Sequence, residues 1–464
     1  MALPVDLRRC QVLGLAGTAS LALGGETAGA LPVRDLPAPA DVHAALGLVG
    51  VYFGLVLLIA AWVLLGRLVR GAEPPTPREL LLVLAVWAAP LLLAPPLFSR
   101  DVYSYLAQGA MVDAHMDVYV QGPARLGGPL ADEVAPLWQH TGAPYGPVFL
   151  AAASALSALT RGELPAGLLG MRALALIGVA LMALVLPRLA RHSGADPAAA
   201  LWLGALNPLV LLHLVAGAHN DSVMLGLLGA GLVAALGRHP LPGAVLVTLA
   251  ALVKAPAVLG LAAVVVLQVR SGRHPAKALA TTVPAAVATT VAATAAAGTG
   301  YGWIGALETP VSPHNWALSS LLGRATGAVL ARFGSDLAPL ALPAWHLFGL
   351  AGAAAAVAAI WWRLRPGPVY ALGLSLAAVA AFGPAIRPWY ALWGLFLIAA
   401  AAPSTSVRQR VVAVTAVLAL ATLPSGGAVD GGQLMLAVSG GALAVVVLWQ
   451  AHQAAGAPAL ERTA

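Results

Sequence analysis

The stretch AALGLVGVYFGLVLLIAAWVLLG, residues 44–66, decides the fold class of this chain. It is apolar throughout and long enough to cross a bilayer as one helix, which needs about 20 residues. Its apolar residues do not alternate with polar ones, as the strands of a transmembrane β-barrel would require. Similar apolar runs recur along the 464 residues, separated by short charged patches. The pattern predicts an all-α polytopic membrane protein.

The composition excludes several other classes of protein. Hydrophobic residues make up 60% of the chain and charged residues only 9%, whereas soluble proteins carry about 25% charged residues. A soluble globular enzyme, a disordered chain and a fibrous protein are therefore excluded. The single cysteine, Cys10, excludes an internal disulfide framework and a cysteine metal cluster. The net charge of +7 comes from basic residues at the ends of apolar runs, which set membrane topology, so we expect no nucleic-acid partner.

The apolar segments indicate about 13–14 transmembrane or half-membrane helices within one integral membrane domain, residues 1–464. The predicted segments are 11–24, 44–66, 80–97, 167–187, 198–216, 221–236, 241–253, 256–269, 276–298, 338–362, 368–383, 389–402, 409–423 and 433–451. Several are shorter than the roughly 20 residues of a full span. We expect 241–253 and 256–269 to be half-helices or one kinked unit, and 145–160 to dip into the outer leaflet without crossing. Residues 8–30 imitate a secretory signal, but many spans follow, so we expect an uncleaved first span.

The basic residues predict the orientation of the chain. With the N-terminus in the cytoplasm, sixteen of the 25 Lys and Arg residues fall inside and seven outside, as the positive-inside rule requires. We therefore predict a multi-pass protein of the cell membrane with both termini in the cytoplasm. Two long connections then lie outside: 98–165, which would include interfacial helices, and 299–337. Their Trp, Tyr, His and Pro residues predict ordered, functional segments.

The sequence SRDVYSY, residues 99–105, opens the first outer segment directly after the third predicted span. Asp101 is thereby expected at the membrane surface, at the end of a rigid helix. Its carboxylate could act as a general base on a hydroxyl that arrives from the outer side. The alternative is an interfacial helix cap, with Tyr103 as a belt residue. Spacing alone leaves both interpretations open.

Two further features lie in the same segment. Asp113 and Asp117 are four residues apart; on one helix face they could hold a divalent cation, although such a pair is more often a solvated face. The sequence APYGP, residues 143–147, fixes the backbone where the chain returns to the membrane. It could simply start a helix with proline in the first turn. Alternatively, it places Tyr145 in the wall of an acceptor groove.

The sequence HND, residues 219–221, joins two apolar segments at the predicted outer face. A helix cap explains the asparagine and Asp221, but it leaves His219 unexplained, so a site role for that histidine stays open. Lys254 lies within the apolar run ALVKAPAVLG. A lysine inside a membrane span is costly and is by default a functional-site hypothesis; the alternative is a side chain that extends to the interface.

The second outer segment carries Trp303, His314 and Trp316. Aromatic side chains of this kind suit sugar binding, and they also suit an interfacial belt. These residues are therefore candidates for sugar binding, and His314 is a candidate donor to an anionic group.

The sequence RPWY, residues 387–390, lies between two short apolar segments after a Gly-Pro pair. An arginine at a broken helix is well placed to grip a phosphate with two parallel hydrogen bonds. Trp389 and Tyr390 beside it are candidates for sugar binding. A purely structural Arg387 is the alternative.

These residues together predict one carboxylate and several donors at the outer end of the membrane domain. That combination fits an anionic lipid-linked substrate that meets a hydroxyl acceptor. The sequence contains no P-loop and no kinase, hydrolase or HExxH motif. Chemistry with a cytoplasmic nucleotide is therefore not expected.

The motifs resemble those of a known family. In order and spacing, SRDVYSY (99–105), APYGP (143–147), GAHND (217–221) and RPWY (387–390) are similar to the actinobacterial polyprenol-phosphate-mannose-dependent α-1,6-mannosyltransferases, the MptA/MptB type. The resemblance covers nearly the whole chain and implies the GT-C architecture, with Asp101 as the catalytic carboxylate. It also implies synthesis of the α-1,6-mannan backbone of lipomannan and lipoarabinomannan outside the cell membrane. We favour the proximal, MptB-like type. The short, Gly-rich first span departs from the family pattern.

The resulting hypothesis is an inverting transfer of mannose from polyprenyl-phosphate-mannose to the 6-hydroxyl of a mannan or phosphatidylinositol-mannoside-type acceptor at the outer face. Asp101 would be the base. The expected ligands of the donor phosphate are Arg387, Lys254, His219 and His314. The expected acceptor- or sugar-binding residues are Tyr103, Tyr145, Asp221, Trp303, Trp316, Trp389 and Tyr390. No metal or other cofactor is required, although a divalent cation at Asp113 and Asp117 or at Asp221 stays open.

The alternative function is a membrane transporter or lipid flippase for a lipid-linked sugar. Broken helices and a lysine in a span also occur in transporters. Transporters, however, place their sites near the bilayer midplane and are built from internal repeats. This sequence shows no convincing repeat, and its polar residues gather at the predicted outer ends of the helices. The transferase is therefore favoured.

Overall fold

The structure is a computed structural model that describes residues 6–36, 41–308, 315–363, 367–401, 403–427 and 429–456. Within these ranges it contains helices and no β-strand, which confirms the predicted all-α fold class. His314, one of the predicted phosphate ligands, lies outside the described residues.

The α-helices follow one another along the chain with few long connections. The first nine are α1 (Leu7–Ala28), α2 (Val42–Val69), α3 (Pro77–Leu93), α4 (Asp101–Asp113), α5 (Gly128–Asp132), α6 (Pro147–Thr160), α7 (Leu164–His192), α8 (Pro197–Gly204) and α9 (Asp221–Leu236). The second nine are α10 (Pro240–Ala251), α11 (Leu259–Arg270), α12 (Pro275–Ala297), α13 (Leu318–Arg332), α14 (Ala341–Arg363), α15 (Pro368–Phe382), α16 (Ala391–Ala399), α17 (Thr405–Leu420) and α18 (Gly431–Gly456). Shorter helices include a π-helix (Val210–Ala216) and the 3-10 helices Ala255–Val258, Gly302–Glu308 and Pro388–Tyr390.

The described helices include enough apolar spans for a polytopic membrane protein. Five helical segments are long and apolar enough to cross a bilayer: Val42–Val69, Leu164–His192, Pro275–Ala297, Ala338–Trp362 and Gly431–Gln453. Other predicted segments coincide with shorter apolar helices, among them α6, α10, α11, α15 and α16. By length these are half-membrane helices. The 14 residues of α6 fit a helix that dips into the membrane without crossing it.

Two details differ from the predicted spans. The segment 198–216 is not one helix, because α8 ends at Gly204 and the chain is irregular before Pro208. Proline disfavours a helical conformation at the residue that precedes it, and the side chain of that residue, Asn207, accepts a hydrogen bond from the backbone N–H of Leu209 at 2.9 Å. Lys254 is not inside a helix either. It has an extended backbone (φ −152°) between α10 and the next 3-10 helix.

The described chain divides into two compact units. The first comprises the described residues of Met1–Arg100, Leu206–Gly217 and Gln409–Ala464, and the second those of Asp101–Ala205 and Ala218–Arg408. The described residues that the sequence predicts to carry chemistry, from Asp101 to Tyr390, fall in the second unit.

In the first unit, glycines allow α1 and α2 to pack at very short distance. A Cβ atom on Gly54 would lie 2.5 Å from the carbonyl oxygen of Gly17, and one on Gly24 would lie 2.5 Å from that of Gly47. Small residues let membrane helices approach closely, which provides their van der Waals contact. The glycines of the predicted first span, 11–24, which lies within the 22-residue α1, are therefore packing residues.

In the second unit, α9 packs against α7 and α10, and α4 packs against α6. A Cβ atom on Gly178 of α7 would clash with the backbone of Ser222, in the first turn of α9. Gly226 lies one turn further along α9, and its added Cβ would lie 2.9 Å from the carbonyl oxygen of Gly178. This close approach fixes the start of α9 and hence the HND turn that leads into it.

Replacing Gly54 by alanine is expected to destabilise the first unit by about 1–3 kcal/mol, because the added methyl group overpacks the α1–α2 contact. Gly50→Ala is the matched control on the same helix, since its Cβ would lie 3.8 Å from its nearest neighbour. Apparent melting temperatures in detergent measure both variants. Equal melting temperatures for Gly54→Ala and the parent protein would contradict the role given to this contact.

Candidate active site

Asp101, the predicted base, is the first residue of α4, and its side chain is 28% exposed. Tyr105 follows one turn later and is fully buried. The Tyr105 hydroxyl lies 3.1 Å from Nδ1 of His219, and Asp101 Oδ2 lies 3.7 Å from the same nitrogen. Tyr103 is also buried and interacts electrostatically with Arg172 of α7. His219 thus connects the start of α4 to the HND turn.

His219 also contacts the RPWY motif. Its ring has no exposed surface and stacks on Trp389, with 4.0 Å between the ring centroids and 28° between the planes. Trp389 belongs to the 3-10 helix that begins directly after Arg387, whose backbone is extended (φ −135°, ψ 150°). Arg387 is half-buried, and its charge acts on His219. Three of the four sequence motifs therefore meet at this imidazole.

A buried ion pair lies next to this contact. Lys254 Nζ lies 2.8 Å from Asp221 Oδ2, and Asp221 Oδ1 accepts a hydrogen bond from Trp393 Nε1 at 2.6 Å. Asp221 is fully buried, and the Lys254 side chain is 12% exposed. The ammonium group also lies 5.0, 5.6 and 5.9 Å from the ring centroids of Tyr390, Trp393 and Tyr145, within the range of cation–π attraction. Both oxygens of Asp221 are therefore engaged.

The APYGP motif is anchored to the same region through its backbone. Gly146 donates its N–H to the carbonyl oxygen of Val253 at 3.4 Å. A Cβ atom at Gly146 would clash with the carbonyl oxygen of Leu252, so this position requires glycine. Tyr145, the preceding residue, packs edge-on against Tyr105 with 5.2 Å between the ring centroids. The fourth motif thus completes an aromatic wall around the buried groups.

Side chains near the start of α13 hold the segment that leads to Arg387. Their hydrogen bonds to backbone groups are Ile386 N–H to Asn315 Oδ1 (3.3 Å), Ser319 Oγ–H to Gly383 O (3.1 Å) and Ser320 Oγ–H to Pro384 O (2.6 Å). Single small polar residues carry no distinguishing pattern in a sequence, so the two serines were not among the predicted site residues. They nevertheless fix the position of the arginine.

Trp303 and Trp316 are not part of this cluster. Among the described residues, neither makes a ring contact or a hydrogen bond with it. Trp303 follows Gly302, where an added Cβ would lie 2.7 Å from Cβ of Tyr119. Burial raises the pKa of Tyr119 to about 12, so its hydroxyl keeps its proton at neutral pH. Sugar binding by the two tryptophans stays a prediction.

Asp113 and Asp117 do not share a helix face. α4 ends at Asp113, and His115 then adopts a left-handed backbone with φ 56°. The Asp117 carboxylate accepts hydrogen bonds from the backbone N–H groups of Tyr119 at 3.1 Å and Val120 at 3.3 Å. It therefore caps a turn. Over the described ranges, no group of three or more His, Cys, Asp or Glu residues is arranged to hold a metal ion.

The HND turn does not act as the helix cap that the sequence allowed as an alternative. Asn220 immediately precedes α9, but its side chain makes no capping hydrogen bond. Asp221 directs its carboxylate to Lys254 and Trp393. Trp393 could have been noticed from its spacing to Trp389 and Tyr390 along one helical turn, but in an apolar run it looks like an ordinary span residue.

The cluster has a clear chemical capacity. It contains one carboxylate that is partly exposed, Asp101, and one that is buried and neutralised, Asp221. A partly exposed carboxylate can take a proton from an incoming hydroxyl. Arg387 supplies a cation that can stabilise negative charge on a departing group. The aromatic rings around them form walls of the kind that contact sugars and lipids.

Comparisons with known proteins identify the family to which the chain is similar. The family model described as "Alpha-(1->6)-mannopyranosyltransferase, N-terminal domain" matches residues 11–270, and "MptB C-terminal domain" matches residues 319–450. Alpha-(1->6)-mannopyranosyltransferase A of Mycobacterium tuberculosis is 35% identical over 429 residues, 87% of this chain and 81% of that protein. Alpha-(1->6)-mannopyranosyltransferase B of Corynebacterium glutamicum is 30% identical over 497 residues, 96% of this chain and 82% of that protein. No solved structure matches the chain.

Lys254→Met is expected to destabilise the second unit by about 3–5 kcal/mol, because it leaves the buried Asp221 carboxylate without its counter-charge. The double variant Lys254→Met/Asp221→Asn removes both charges and should recover most of that loss. Apparent melting temperatures in detergent measure the effect. Arg188→Met is the control, since Arg188 is an exposed cation on α7 and should tolerate the change. If the destabilisation of the double variant equals the sum of the two single-variant effects, the two residues are not energetically coupled.

Proposed function

Because the chain belongs to the family of α-(1→6)-mannopyranosyltransferases, it is a membrane mannosyltransferase, and we propose that its donor is polyprenyl-phosphate-mannose. The proposed acceptor is the 6-hydroxyl of a proximal α-1,6-mannan or phosphatidylinositol-mannoside-type glycolipid. We place the reaction at the outer face of the cell membrane, with both termini in the cytoplasm, on the charge distribution of the sequence. The GT-C architecture is part of the same proposal.

The observation that carries the mechanism is the contrast between the two carboxylates of the cluster. Asp221 is fully buried and has both oxygens engaged by Lys254 and Trp393. Asp101 keeps 28% of its side chain exposed. An acceptor hydroxyl therefore finds an exposed carboxylate at Asp101, whereas both oxygens of Asp221 already have partners. This supports Asp101 as the general base.

The proposed reaction is a single inverting displacement. The acceptor hydroxyl gives its proton to Asp101 and its oxygen forms a bond to C1 of the β-linked mannosyl group. The bond between C1 and the phosphate oxygen breaks with its electron pair, and polyprenyl phosphate leaves. The leaving group needs no proton, because a phosphate carries the charge well. The product is α-linked because the attack comes from the face opposite the phosphate.

Arg387 is the proposed principal ligand of the donor phosphate. Lys254, the other predicted cation, is paired with Asp221, so the two together present little net charge. We assign this lysine to holding Asp221 and the rings of Tyr145 and Tyr390 in place, with a weaker attraction for the phosphate. His219, stacked on Trp389, orients the RPWY segment beside Asp101.

Asp101→Asn is expected to reduce mannose transfer by about 10²–10⁴-fold, because the amide cannot accept the proton. Purified protein in lipid vesicles is given labelled polyprenyl-phosphate-mannose and a short α-1,6-mannoside, and the product is analysed. Asp113→Asn on the same helix is the control and should keep full activity, since its side chain is exposed. Wild-type protein that only moves the mannolipid between leaflets, without consuming it, would instead identify a flippase. Substantial transfer by folded Asp101→Asn would remove Asp101 from the base role.

Arg387→Ala is expected to reduce transfer by about 10²–10³-fold, as for the loss of one preorganised electrostatic partner of a transition state. Arg387→Lys should recover part of this loss, because it keeps the charge but not the paired geometry. The same vesicle assay measures both variants, and the exposed Arg332→Ala serves as the control. A loss in Arg332→Ala equal to that in Arg387→Ala would indicate a general effect of positive charge.

A further inference from the structure

The chain contains three asparagines, Asn207, Asn220 and Asn315. The structure buries all of them, with exposed fractions of 0%, 2% and 1% respectively. A buried amide offers both donors and an acceptor, and in folded proteins such groups are nearly always hydrogen-bonded. The three residues can therefore be compared directly.

Two of the three amides have hydrogen-bond partners within the protein. Asn207 donates from Nδ2 to Thr415 Oγ1 at 3.0 Å and accepts at Oδ1 from the backbone N–H of Leu209 at 2.9 Å. Asn315 accepts at Oδ1 from the N–H groups of Ala317 at 2.7 Å and Ile386 at 3.3 Å. A structural role explains both residues. Each connects segments that are distant in the sequence, and each caps the turn that follows it.

Asn220 differs from both. Neither its Oδ1 nor its Nδ2 has a hydrogen-bond partner among the described residues. It makes no capping bond to α9, although a capping position is where an asparagine most easily finds a partner. Its two neighbours in the sequence are engaged: His219 with Tyr105, and Asp221 with Lys254 and Trp393. The Asn220 amide is thus an unsatisfied group between two residues that are both engaged in the cluster.

The amide of Asn220 has both a donor and an acceptor without a partner, and this restricts the class of ligand that could hydrogen-bond to both. A phosphate has only acceptors and would satisfy Nδ2 but not Oδ1. A metal ion would satisfy Oδ1 but not Nδ2. A pair of neighbouring hydroxyl groups satisfies both at once, because each hydroxyl can donate and accept. A sugar ring is the ligand class in this reaction that carries such a pair.

We propose that the Asn220 amide binds two adjacent hydroxyls of the mannosyl group of the donor. This assignment rests on the proposed function. It favours the donor sugar over the acceptor because Asn220 follows His219, whose ring stacks on Trp389 beside the proposed phosphate ligand Arg387. The mannosyl ring is attached to that phosphate through C1 and must lie next to it. The low exposure of Asn220 means that the sugar reaches the amide as covering side chains move aside, and water is then excluded from the site.

The proposal makes opposite predictions for activity and for stability. An unsatisfied buried amide costs free energy in the empty protein, so Asn220→Leu, which has a similar volume, should leave the melting temperature unchanged or raise it. Asn207→Ala, the matched control, should lower it, because a satisfied network is broken. Asn220→Ala and Asn220→Leu should both reduce kcat/KM for the donor by about 10- to 100-fold, the range for losing one or two hydrogen bonds to a neutral partner.

The decisive test uses donor analogues that lack one hydroxyl each, the 2-, 3- and 4-deoxymannosyl polyprenyl phosphates. In the wild-type protein, two adjacent deletions should each lower kcat/KM strongly. In Asn220→Ala the same two deletions should lower kcat/KM only slightly further, because the amide that binds these hydroxyls is already absent. If every deletion costs the variant as much as the wild type, Asn220 does not contact the donor sugar.

The outcomes separate this inference from the proposed function. Failure of the wild-type protein to transfer mannose from the unmodified donor would overturn the function itself. Normal transfer by wild type together with a fully active Asn220→Ala would overturn only the role of Asn220. A melting temperature of Asn220→Leu that falls as far as that of Asn207→Ala would assign Asn220 to the structure instead. Three results together would support the proposal. The Asn220 variants would lose transfer activity, they would keep their melting temperature, and Asn220→Ala would no longer distinguish the deoxy donors from the unmodified donor.

Discussion

The ion pair between Lys254 and Asp221 is the interaction on which the arrangement of the site depends. Isolated buried charges are very costly, and a pair is tolerated only when geometry and additional hydrogen bonds compensate. Here Lys254 has an extended backbone at a helix break, and Asp221 is the first residue of α9. Trp393 donates the additional hydrogen bond at 2.6 Å. Separating these groups would leave an unpaired charge in an apolar environment. The ion pair and its hydrogen bond therefore fix the helix break, the HND turn and α16 relative to one another.

The same pair explains why two aspartates in one cluster can have different tasks. Asp221 is fixed, neutralised and inaccessible. Asp101, at the start of α4, is partly exposed and lies 3.7 Å from a buried imidazole. A general base must be reachable by its substrate and held in position by its surroundings. In the proposed mechanism, His219, which stacks on Trp389 and contacts Tyr105 and Asp101, provides the position, and the partly exposed Asp101 provides the access.

Much of this arrangement could be predicted from the sequence, because apolar length and rare polar residues are strong signals in a membrane protein. The helical segments followed from them, and so did the choice of Asp101, His219 and Arg387 as candidates, whose roles stay predictions. Lys254 is conspicuous for its cost in an apolar run, but its partner could not be known, because a separation of 33 positions from Asp221 carries no information on contact. The unsatisfied amide of Asn220 was also invisible, because a sequence shows which groups need partners and not which ones lack them.

The charges of the cluster fit the proposed reaction step by step. In the resting site the charges of Asp221 and Lys254 cancel, and so do those of Asp101 and Arg387, which leaves these four groups with no net charge. When Asp101 takes the proton of the acceptor hydroxyl, the cluster gains one positive charge. At the same moment the phosphate, singly charged in the phosphodiester donor, gains one negative charge as it leaves.

Proton transfer to Asp101 therefore strengthens the attraction of Arg387 for the departing phosphate, because the opposing carboxylate charge has disappeared. In a site of low dielectric constant such a change is worth more than it would be in water. In the proposed reaction, Asp101 and Arg387 would therefore act together on the charge of the leaving group.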